Sequence, residues 1–135
     1  MSLKKIIDNI HGIELDFGPG NYLEFKYMFY SESCRILNMF VIPTKDVGLS
    51  NDDYFVAEIY NIGFNNEKQI LVARFTNKTN DVNGLALNKF KANLINIFHN
   101  IIGKGEFIKL VIKSYAPINN INLGYLNHIS EIESL

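Results

Sequence analysis

Apolar and polar positions change period several times along the chain. Ser2 is placed to cap a short helix in which Leu3, Ile6, Ile7 and Ile10 share one face. The period then becomes two: Ile13-Glu14-Leu15-Asp16-Phe17 alternates apolar and acidic side chains, as a half-buried strand does. Gly18-Pro19-Gly20-Asn21 suits a type II turn, because proline presets φ at the second position and glycine accepts φ > 0 at the third. Residues 22–30 return with Leu23, Phe25, Tyr27 and Phe29 on one side, so 13–30 is predicted as a β-hairpin.

Three further strands follow from the same pattern. Residues 34–42 (CRILNMFVI) are apolar on both faces and belong in the middle of a sheet. Residues 54–62 and 69–76 form a pair, with Asn65-Asn66 at the turn between them. Residues 106–115 place Ile108, Leu110 and Ile112 on one side and Lys109 and Lys113 on the other, until Pro117 ends the strand. One more short strand is expected near 121–127.

The stretch between the last two of these, LNKFKANLINIFHNIIGKG (87–105), reads as a helix. At 100° per residue, Leu87, Phe90, Leu94, Ile95, Ile97, Phe98, Ile101 and Ile102 fall in one apolar arc. Lys91 falls inside that arc, which predicts either a side chain snorkelling at the sheet edge or a contact point for a partner. Gly103 and Lys104 suit the helix C-terminus. The expected fold is α+β: one domain (1–135), with an antiparallel, strongly curved sheet of about six strands. The sheet packs on one main amphipathic helix (about 86–102), and a short helix precedes it.

Composition fits a folded chain: 135 residues, 47% hydrophobic, 20% charged. Cys34 is the sole cysteine, so neither an internal disulfide nor a cysteine-based zinc site can form. Asp8 and Glu14 interrupt the N-terminal apolar run, and no window approaches eighteen consecutive apolar residues. The expectation is therefore a cytoplasmic protein without a membrane span. Eighteen asparagines and 19 isoleucines against 5 alanines follow A/T-rich codon usage, pointing to a low-GC bacterium, its phage or a mobile element. Charge is uneven: Lys89, Lys91, Lys104, Lys109 and Lys113 face only Glu106 across 86–117, within a chain of net charge −1.

Sites of chemistry are sparse. Gly103-Lys104-Gly105 follows the predicted helix, whereas a phosphate-binding loop must precede one. His99 lies on the polar side of the arc, and no motif marks Cys34 as a nucleophile. Asp46, Asp52 and Asp53, with Glu58 nearby, match no EF-hand spacing and read as a solvated acidic loop. No catalytic residue, metal site or cofactor is assigned.

What remains is binding. The leading expectation is a small non-enzymatic protein-interaction module, of the accessory, immunity or inhibitor type carried by phages and mobile elements. Its contacts are expected at Tyr22, Lys26 and Tyr30, at Asp46, Asp52 and Asp53, and at Lys91. The alternative is a single-stranded nucleic-acid binder that stacks bases on Tyr22, Tyr30, Tyr54 and Tyr60, with Lys26, Lys109 and Lys113 on phosphates. Glu24 and Glu58 weigh against that alternative. Self-association stays open.

Overall fold

Every regular element of the described residues is a strand. The computed structural model describes residues 4–10, 14–29, 32–45, 48–79, 93–94 and 96–135, with backbone alone for strand residues 4–10, 26–29, 40–41, 93–94 and 96. In chain order the strands are β1 (Lys4–Ile10), β2 (Leu15–Phe17), β3 (Tyr22–Phe29), β4 (Cys34–Pro43), β5 (Phe55–Gly63) and β6 (Ile70–Thr76). They continue as β7 (Asn93–Leu94), β8 (Asn96–Ile97), β9 (Ile101–Ile102), β10 (Phe107–Ser114), β11 (Ile121–Gly124) and β12 (Leu126–Ser134).

The strands form two five-stranded antiparallel sheets. The first has the order β1-β12-β4-β7, with β9 also on β4; the second runs β3-β10-β5-β6-β8. A two-stranded ribbon, β11-β2, completes the set. One hydrophobic cluster draws on both sheets: Cys34, Ile36, Met39, Ile102, Leu126 and Ile132 from the first, and Phe55, Ile59, Phe75, Leu110 and Ile112 among those from the second. Phe17 of the ribbon meets Phe55 edge to face at 6.4 Å, and Phe55 meets Phe75 likewise at 6.0 Å. Such edge-to-face pairs add to what area burial alone contributes.

The expected α+β fold is therefore corrected to all-β. The inner face of the second sheet is covered by another sheet, where the sequence reading placed a helix. Of the predicted helix, residues 86–92 and 95 lie outside the described residues, and the rest holds the three two-residue strands β7, β8 and β9 in place of a helix. Leu94 pairs with Phe40, Ile97 with Ala73, and Ile102 with Cys34, so this short stretch crosses from the first sheet to the second and back. Seven of the residues 93–102 are asparagine or isoleucine, both weak helix formers, and isoleucine packs well on a pleated surface. The short N-terminal helix is corrected in the same way, because Lys4–Ile10 pairs along its whole length with β12.

The predicted hairpin at 13–30 is half right. Asn21 N–H donates to Gly18 C=O at 3.1 Å with Gly20 at φ 69°, as a type II turn requires. The strands it joins do not pair with each other: β2 goes to β11 and β3 to β10. The β5–β6 pair forms as expected, with Asn66 at φ 59° in its turn. In β10 the alternation holds: Ile108, Leu110 and Ile112 are fully buried, and Lys109 and Lys113 lie on the opposite face. The region expected to hold one short strand near 121–127 holds β11 and the start of β12.

Candidate binding surfaces

The second sheet alternates, so its outward face carries whatever the core rejects. Cross-strand register puts Tyr22 and Val56 beside Lys113, Glu24 and Glu58 beside Val111, and Lys26 and Tyr60 beside Lys109. Five residues picked out in the sequence (Tyr22, Lys26, Tyr60, Lys109, Lys113) thus share one face, though Lys26 is placed there by register alone. Tyr30, Asp46 and Lys91 lie outside the described residues.

Much of this face is internally paired. Lys109 Nζ lies 2.9 Å from Glu24, whose other oxygen accepts the Tyr22 hydroxyl. The Tyr22 bond and then the Lys109 bond hold the Glu24 carboxyl below the usual carboxylate range, while the same Glu24 contact raises the Tyr22 phenol. The Tyr60 phenol is raised by burial and by neighbouring Glu58. At one end Tyr54 stacks on Tyr115, centroids 5.1 Å apart and nearly parallel at 8°. Lys78 caps the Tyr54 ring at 5.0 Å and Lys113 the Tyr115 ring at 5.1 Å, both cation–π distances. Two depressions remain on either side of the Glu24–Lys109 pair. One, of about 460 Å³, is lined by Tyr22, Val56, Glu58, Val111, Lys113 and Tyr115. The other, of about 410 Å³, is lined by Glu24, Lys109, Asn66, Glu67, Lys68 and Gln69.

Asp52 and Asp53 sit in the loop before β5, where both backbone N–H groups donate to Ser50 Oγ. The Asp53 carboxylate accepts from Asn119 Nδ2 at 3.0 Å, tying this loop to the one after β10. Among the described residues no three His, Cys, Asp or Glu side chains converge on a common point. Burial, together with the charge of Glu32, pushes the Cys34 thiol up to about 11, which disfavours the reactive thiolate. His128 is buried on β12 with Nε2 3.2 Å from Ser130 Oγ.

Gly103-Lys104-Gly105 is the turn between β9 and β10, with Gly105 at φ 82°. Two of its amides are occupied by the chain's own oxygens: Gly103 N–H donates to Glu106 and Lys104 N–H to Ser33 Oγ at 3.1 Å. Glu106 is 7% exposed and also receives Asn61 Nδ2 at 3.0 Å and the Lys68 ammonium. Burial alone would raise its pKa; the hydrogen bonds from Lys68, Asn61 and Gly103, with the Lys68 charge, outweigh burial and lower it. The anion this turn cradles is internal.

The surface that the sequence reading missed lies beside that network. Ile70, Phe98 and Ile101 are 38%, 47% and 47% exposed, and with Val72 they line a groove of about 240 Å³. Asn61, Lys68, His99 and Asn100 supply its polar rim. Phe98 N–H bonds Val72 C=O at 2.8 Å and His99 Nδ1 lies 3.0 Å from Leu71 C=O, so the groove wall is anchored to β6. Reading 93–102 as a helix had assigned Phe98 and Ile101 to the core. No protein-family model matches the chain, and no curated protein or solved structure matches it either.

Proposed function

We propose that this protein is a non-enzymatic protein-interaction module that docks its partner on the groove of Ile70, Phe98 and Ile101. The observation that carries this reading is the exposure of three large apolar side chains around one depression. Clustered apolar surface rimmed by polar groups is the usual form of a protein docking site. A partner's apolar side chain fits over buried Val72, while Asn61, Lys68, His99 and Asn100 offer hydrogen bonds at the rim. A cytoplasmic accessory, immunity or inhibitor-type role is part of the same proposal and is supported by composition alone.

The nucleic-acid alternative gains little from the face meant to carry it. Tyr54 is stacked on Tyr115 and capped by Lys78, and Lys109 is neutralised by Glu24.

The test is capture from a lysate of the source cells with wild-type protein and with Phe98→Asp/Ile101→Asp. We expect a stoichiometric partner bound by the wild type and lost by the variant, each anchor being worth roughly 2 kcal/mol, about thirtyfold in affinity. Both positions are about half exposed, so the variant's melting temperature should stay close to that of the wild type. A partner held equally well by both proteins, or no stoichiometric partner at all, overturns the proposal.

A further inference from the structure

We propose that the outward face of the second sheet is a separate site for a neutral carbohydrate chain, seated in the groove between Tyr22, Glu58 and Lys113. The groove is amphipathic in the way a sugar is. Its floor is the half-buried pair Val56 and Val111, and its wall is the Tyr22 ring, 55% exposed. A pyranose presents a flat C–H surface to such a wall and a rim of hydroxyls to its surroundings. Glu58 offers an acceptor and Lys113 a set of donors in the lining of the same groove, and hydrogen bonds to charged groups are the stronger kind.

Charge balance selects the ligand class. The groove holds one carboxylate and one ammonium, Glu24 and Lys109 form the pair beside it, and Glu67 and Lys68 lie in the adjoining depression. Even with Lys26 on this face by register and Lys78 at its end, such alternation gives a polyanion only a weak field to follow, so a nucleic acid would lose much of the phosphate term that dominates its affinity. It costs a neutral polyol nothing. The volume of about 460 Å³ lies within the range of small-ligand sites, roughly 300–1,000 Å³. From Lys113 to Lys109 is four residues along β10, about 13 Å, so the two depressions suit a chain of several sugar units running with the strands. Tyr22 is held by Glu24, which Lys109 holds in turn, so little side-chain freedom remains to be lost on binding.

The test is calorimetric titration of the full chain with neutral hexasaccharides of hexose, N-acetylhexosamine and pentose units, and with oligo-dT as the polyanion. We expect at least one neutral chain to bind, with affinity changing less than about twofold between about 50 and 200 mM salt. Tyr22→Ala and Glu58→Gln should each weaken it about tenfold or more, near 1.4 kcal/mol. Tyr22→Phe, which keeps the ring but loses the hydroxyl that Glu24 holds, should fall between the wild type and Tyr22→Ala. Phe98→Asp should leave the titration unchanged, which separates this site from the protein-docking groove. Absence of binding by every neutral chain overturns the inference, as does sugar binding indifferent to Tyr22→Ala. Salt-sensitive oligo-dT binding without sugar binding assigns the face to nucleic acid and overturns it as well.

Discussion

Glu106 shows what a single residue does when folding surrounds it. The sequence presents it as the lone acid among lysines; the fold buries it against Lys68, Asn61 and the Gly103 amide. A side chain added at Gly103 would place its Cβ 2.8 Å from a Glu106 oxygen, so this glycine makes room for the carboxylate. We predict that Glu106→Gln destabilises the protein by about 1–2 kcal/mol at pH 7. Lys68 is partly exposed and recovers water, which keeps the cost below that of a fully buried broken pair. The folded carboxyl titrates below its unfolded value, near 4.3, so its stabilisation is complete above that pH. It is lost as pH falls through the lower folded value. Denaturant melts of both proteins at pH 7 and pH 3 should therefore show a gap that is smaller in acid.

Elements were legible where a short pattern had one solution. Alternation identified β5 and β10, an apolar run paired across a turn identified β6, and the turns at Gly18–Asn21 and Asn65-Asn66 were marked by residues that accept φ > 0. The segment 93–102 failed because its apolar residues do gather on one side at a period of 3.6, while the fold uses it as three two-residue strands set by pairing with distant β4 and β6. Its asparagine and isoleucine content was the available signal against a helix. Gly103-Lys104-Gly105, expected to end a helix, joins two strands. Gly105 has φ 82°, and a Cβ there would lie 2.7 Å from the Phe64 ring. Gly105→Ala should cost about 1–2 kcal/mol from backbone strain, Phe64 being exposed enough to move aside. Equilibrium urea unfolding measures that cost.

For the whole molecule, the decisive contacts join distant parts of the chain. Residues 4–10 pair with 127–133, and Cys34 at the start of β4 pairs with Ile102 and Ser134. Loop closure over such separations must precede any gain from burial, so refolding should fall in the millisecond-to-second range typical of β-sandwich topologies. Stopped-flow tyrosine fluorescence checks this, and microsecond refolding or a helical far-ultraviolet circular dichroism spectrum would contradict the fold. By itself the sequence determined local matters: which residues alternate, where the chain turns, and which side chains are apolar, because these depend on neighbours a few positions away. It also set the stock of tyrosines, lysines and glutamates from which any binding face must be built. Only the tertiary structure decided which strands pair, that a second sheet covers the core, and that Phe98 and Ile101 lie at the surface. It also placed Tyr22, Glu58 and Lys113 on one groove. Those outcomes depend on long-range pairing and on competition for one buried face, which no local window of the chain contains.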